Sequence, residues 1–150
     1  MRWLQRIVLV LAVCGAFWNS AQASGDIAGT VKTVEGAAFI RSGGTDVPAK
    51  VGATLKASDV LVTGKDGALG VTFRDNTRLS LGPNTEMAVE EYVFDPGRDK
   101  VSMVTRLSKG TLAFTSGLIS KLKPGAAKLR TPTGTLGIRG TRFLVKVEAD

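Results

Sequence analysis

From Ser24 onward the chain alternates apolar and polar residues in short runs. Gly, Asp, Asn or Pro interrupts them roughly every eight to ten residues. This pattern predicts an all-β single domain of short strands, solenoid-like or sandwich-like, with at most one short helical turn. The clearest run covers 68–81. Leu69, Val71 and Phe73 share one face, and Leu79 and Leu81 resume it after Asp75-Asn76-Thr77. A hairpin that keeps Phe73 and Leu79 on the buried face predicts a three-residue loop, 75–77, with Arg74 opposite Arg78. Asn76 suits its left-handed position. Met87 and Val89 form the next inward pair, whereas Tyr92 and Phe94 follow in the opposite phase. A bulge at Glu90-Glu91 restores the alternation, and Asp95-Pro96-Gly97 ends the strand. Two further strands are expected over 101–107 and 111–114, with Lys109-Gly110 turning between them. Residues 116–121 predict the single helical turn, which Pro124-Gly125 stops.

The beginning of the chain has a different character. Arg2 and Arg6 precede an apolar run over 7–17, and Ala21-Gln22-Ala23 closes it. A basic start, a short apolar middle and small residues at the end predict a signal peptide over 1–23, cleaved before Ser24. A membrane anchor is the alternative, but the stretch is near the lower limit of length for one. Val13 before Cys14 disfavours a lipoprotein signal. The exported portion, 24–150, is then one β domain, periplasmic or secreted. It retains no cysteine, and the whole chain has no histidine. Imidazole and thiolate chemistry are therefore absent, along with His- or Cys-based metal sites and disulfides. No cofactor and no enzymatic activity are expected.

Charge is unevenly spread. Residues 24–95 hold seven Lys/Arg and ten Asp/Glu, and residues 96–150 hold eleven and three. A basic second half points to an anionic partner: lipid headgroups, an envelope polysaccharide or an acidic protein surface. The densest basic patch is Lys121, Lys123, Lys128 and Arg130. With no aromatic residue among them it lacks a base-stacking platform, which argues against nucleic acid. Arg74 and Arg78, brought together by the expected hairpin, form a second candidate anion tether, with two splayed, solvated side chains as the plainer reading. Glu86, Glu90 and Glu91 are the only dense carboxylates and read as surface groups rather than as a hydrolase pair. The Asp residues sit in turns without calcium-loop spacing. Gly134, Gly137 and Gly140 recur before a strand, not before a helix, so they read as tight turns and close strand approach rather than a phosphate loop. Arg139 among them is expected to pin a carbonyl or carboxylate.

Four stretches carry a resemblance. Residues 60–64 read Val-Leu-Val-Thr-Gly, and 69–81 read Leu-Gly-Val-Thr-Phe-Arg-Asp-Asn-Thr-Arg-Leu-Ser-Leu. Later come Leu-Ser-Lys-Gly-Thr-Leu-Ala-Phe over 107–114 and Arg-Thr-Pro-Thr-Gly-Thr-Leu-Gly-Ile-Arg-Gly-Thr-Arg-Phe over 130–143. Together they resemble the FecR domain family over most of the exported portion, with Asn76 where that family usually has glycine. The resemblance implies an extracytoplasmic, all-β, solenoid-like domain. In complete regulators of that family it relays a signal from an outer-membrane receptor, through a membrane helix, to a cytoplasmic segment that binds a sigma factor. For this chain it implies a stand-alone module that binds a protein or envelope partner in signalling. A binder of anionic glycan or lipid through the basic C-terminal part is the alternative.

Overall fold

The structure is a computed structural model that describes residues 26–149. The expected signal over 1–23 lies outside them. The strands are β1 (Ile27–Glu35), β2 (Ala38–Ser42), β3 (Thr45–Pro48), β4 (Thr54–Lys56), β5 (Val60–Thr63) and β6 (Ala68–Phe73). They continue as β7 (Arg78–Leu81), β8 (Glu86–Asp95), β9 (Lys100–Thr115), β10 (Ala127–Thr131), β11 (Gly134–Gly137) and β12 (Arg142–Val147). One helical turn, α1 (Leu118–Leu122), follows β9, and a 3₁₀ turn, Pro96–Arg98, links β8 to β9. The chain is all-β, as its alternation predicts.

The strands form two half-sheets that share β9. The first runs β4-β1-β6-β7-β9-β12, and the second runs β3-β2-β5-β8-β9-β10-β11. Strand β9 is 16 residues long. Its first half lies between β8 and β10, and its second between β7 and β12. All neighbours are antiparallel except β10 beside β9. The interior is one apolar cluster. Leu69, Val71, Phe73, Leu79, Leu81, Leu112 and Phe114 from one half-sheet meet Leu61, Met87, Val89, Met103, Leu107 and Leu129 from the other. Each such side chain stabilises the fold by about 1.5–3 kcal/mol on burial.

The chain crosses between half-sheets eight times, and four of the crossings stack into a corner. They lie at Gly36-Ala37, at 64–67, at 82–85 and at Gly110. Neighbouring crossings are hydrogen-bonded. The Gly64 N–H donates to the Ala37 carbonyl (2.8 Å), the Asn84 N–H to Gly64 (3.0 Å) and the Gly82 N–H to Thr111 (3.0 Å). Two buried threonines complete the stack. Thr63 Oγ1 donates to the Gly82 carbonyl at 2.6 Å and accepts from the Thr85 N–H at 2.9 Å. Thr85 Oγ1 accepts from the Thr111 N–H at 3.0 Å.

Gly110 corrects one expectation. Lys109-Gly110 does not reverse the chain; it bends a continuous strand. Gly110 has φ +96°, and a Cβ there would lie 2.2 Å from Thr85 Oγ1 and 2.4 Å from Thr85 Cα. Left-handed backbone and close contact both demand glycine.

The first hairpin differs in register. Thr72 faces Arg78 and Val71 faces Leu79. The Phe73 N–H donates to the Thr77 carbonyl at 2.8 Å, so the loop is 74–76. A slip of two residues preserves which face each side chain occupies, so alternation alone leaves it undetermined. Asn76 does adopt the left-handed position, with φ 67°. The bulge expected at Glu90-Glu91 is present, as a register shift between Val89 and Glu91.

Candidate partner-binding surfaces

The outer faces of the half-sheets carry different chemistry. On the first, cross-strand register lines up Thr54, Thr30, Thr72, Arg78, Thr115 and Arg142. Thr33, Gly70, Ser80, Ala113 and Leu144 form the next row, giving a flat face of hydroxyls and small side chains. Arg78 and Arg142 are exposed there and make no ion pair among the described residues. Arg74 does not stand beside Arg78. It sits in the turn, its guanidinium 3.5 Å from the Ile27 carbonyl and 3.4 Å from the Phe94 carbonyl.

The second outer face is held by ion pairs. Register places Arg130 directly beside Arg106, and Glu90 lies between the two guanidiniums. It accepts from Arg106 Nε and from Arg130 Nη1, the latter at 2.9 Å. The bulge that lifts Glu90 out of the ladder lets one carboxylate serve both cations. Arg41 donates to Asp46 at 2.6 Å, and Glu86 lies 3.9 Å from the same guanidinium. The hydrogen bond from Arg41 holds the Asp46 carboxyl below the usual carboxylate range.

The four cations of the expected basic patch therefore separate. Lys121 and Lys123 lie in and just after α1, exposed. Lys128 and Arg130 project from the outer face of β10, where Arg130 is engaged by Glu90. Arg139 is exposed after β11, and its side chain makes no hydrogen bond among the described residues. Glu86 and Glu90 line separate clefts, Glu86 with Lys109 and Lys146, and Glu90 with Glu91 and Arg130. No group of three metal-ligating side chains occurs among the described residues.

Asp75 is the residue that the pattern underplayed. It is fully buried and accepts four hydrogen bonds. The Thr77 N–H (3.3 Å) and the Tyr92 hydroxyl (3.1 Å) donate to Oδ1. The Thr77 hydroxyl (2.7 Å) and the Ile119 N–H (3.2 Å) donate to Oδ2. The Leu118 N–H donates to its carbonyl at 2.7 Å. One carboxylate thus ties the β6–β7 turn to the first turn of α1 and, through Tyr92, to β8 in the other half-sheet. Burial, with Asp75 close by, pushes the Tyr92 phenol well above its ordinary range. A signal was available, because the inward phase runs unbroken through residues 69, 71, 73, 75, 77, 79 and 81.

The glycines of the 134–140 segment do not serve close approach within this chain. A Cβ at Gly134, Gly137 or Gly140 would meet nothing within 4 Å, and none of the three has a left-handed φ. They border a shallow apolar groove of about 310 Å³ between β11 and β12, lined by Leu136, Ile138, Phe143, Leu144 and Val145.

The sequence pattern of the FecR protein family matches residues 59–150, from the end of the loop before β5 through the whole of β12. This chain belongs to the FecR family. No curated protein and no solved structure matches it. The FecR match takes in the Asp75 network, the shared strand β9 and the β11–β12 groove; β1 to β4 precede it. The FecR family is linked to extracytoplasmic signalling and regulation, is typically associated with the cell envelope, and is not known for catalysis.

Proposed function

We propose that this protein is a non-enzymatic, exported FecR-family module that binds a protein of the cell envelope and takes part in extracytoplasmic signalling. The FecR match over residues 59–150 carries this reading. The chemistry of the chain supports it. There is no histidine, Glu86 and Glu90 line different clefts, and the buried carboxylate of Asp75 is saturated by structural hydrogen bonds. Export, with removal of 1–23, belongs to the same proposal and is read from the N-terminal residue of the protein recovered outside the cytoplasm.

The test uses the purified full chain, immobilised and challenged with envelope extract. One envelope protein is expected to bind saturably, and to bind again when purified on its own. Retention of no protein overturns the reading. Retention of acidic polysaccharide or anionic lipid, lost with salt and abolished when Lys121, Lys123, Lys128 and Arg130 are replaced by Ala, replaces it with the alternative.

A further inference from the structure

Among the described residues each half-sheet ends in two strands with an unpaired outer edge, and three of these four edges are blunted. Strand β3 carries Asp46 and Pro48. Strand β4 has three residues and ends in Lys56. Strand β12 carries Arg142 and Lys146. Charge, proline and shortness are the usual means by which edge strands avoid pairing with other chains. Strand β11, four residues long, carries neither charge nor proline. It reads Gly134-Thr135-Leu136-Gly137, exposed along its whole length.

The open edge continues an unfinished interior. Leu136 stands opposite Leu129, which is fully buried, yet Leu136 itself is 46% exposed. Across the groove, Phe143 and Val145 face the buried Phe114 and Leu112 and remain half-buried. The main chain is poised as well. The Ile138 N–H donates to Ala127 of β10 at 2.9 Å, so by strand alternation the N–H and C=O groups of Thr135 and Gly137 point away from β10. Gly134, Gly137 and Gly140, which no contact inside the chain requires, leave space beside these groups. Arg139 borders the groove, is exposed, and has no ion-pair partner among the described residues.

We infer that the β11 edge receives an extended, acidic segment of a partner protein as an added strand, hydrogen-bonded to the main chain of Thr135 and Gly137. Its inward side chains cover Leu136, Phe143 and Val145, and a carboxylate on it meets Arg139. Main-chain pairing supplies affinity and alternate side chains supply selectivity in this mode of recognition. A second copy of this chain fits poorly, because it would bring two copies of Arg139 together. The inference rests on the reading of the protein as a partner-binding module and assigns the place where binding occurs.

The test is selection of the full chain against a displayed library of random twelve-residue peptides. The enriched peptides are expected to alternate apolar and acidic residues and to protect the amides of 135 and 137 from hydrogen exchange. Thr135→Pro removes an outward N–H without touching the β10 ladder and should weaken a selected peptide by about tenfold or more. The variant Arg139→Glu alters an exposed residue and should shift selection from acidic to basic peptides. Three results overturn the inference: no enrichment, peptides that bind the Thr135→Pro chain equally well, or a Thr135→Pro-sensitive dimer in sedimentation. None of them touches the envelope-capture test, so the site and the function fail separately.

Discussion

Glycine marks two regions of this molecule for opposite reasons. In the stacked corner, Gly110 has Thr85 packed against the place a side chain would occupy. Beside β11, Gly134, Gly137 and Gly140 have open space. The corner is closed by Thr63 and Thr85, whose hydroxyls bond the main chain of adjacent crossings. The β11 edge leaves Leu136 exposed and backbone groups unpaired. One region uses glycine to bring the chain close to itself; the other leaves the chain accessible from outside. The residue type is the same in both, and only the neighbours distinguish them.

The comparison breaks first at Gly110. Gly110→Val forces a branched side chain onto left-handed backbone and into Thr85, so it should cost more than about 3 kcal/mol in urea denaturation. Asp75 is the other closed place. Asp75→Ala leaves the Tyr92 hydroxyl and the Thr77 and Ile119 N–H groups without their acceptor, an expected loss of about 2–4 kcal/mol, again read from urea midpoints. The Tyr92 phenol sharpens the same point through pH. Its folded pKa lies above the ordinary value of 10.0, so the folded state keeps the proton that the unfolded state gives up. The stability this contributes is complete below about pH 10 and is lost as pH rises beyond it. Stability should therefore fall as pH rises above about 10, less steeply in Tyr92→Phe. Tyr92 is the only tyrosine, so phenolate absorbance should appear only with unfolding. The smallest effect belongs to the open edge. Gly134→Val meets no neighbouring atom and should change stability by no more than about 0.5 kcal/mol. Equal costs for Gly110→Val and Gly134→Val would dissolve the contrast.

Much of the fold is legible in local pattern. The alternation over 68–81, the bulge at Glu90-Glu91, the left-handed Asn76 and the brief α1 before Pro124-Gly125 all follow from side-chain phase and turn chemistry. What escapes is decided across the sheet. A Lys-Gly pair between two apolar runs looks the same whether it reverses a chain or bends a strand. At Gly110 the lateral partners, β7 and β12 on one half and β8 and β10 on the other, select the bend. Asp75 reads as a turn residue until Tyr92 and α1 fold over it. The candidate surface behaves likewise. Arg130 belongs to a basic run in sequence, yet Glu90, 40 residues away, is its partner. The β11 edge announces itself only when the other three edges are seen to be protected.

Strand β9 has a consequence for how the molecule comes apart. It is flanked on both sides in both halves, so neither half can melt while the other keeps its middle strand intact. Unfolding is therefore expected to be all-or-none, with the central amides of β9 exchanging with solvent only when the whole domain opens.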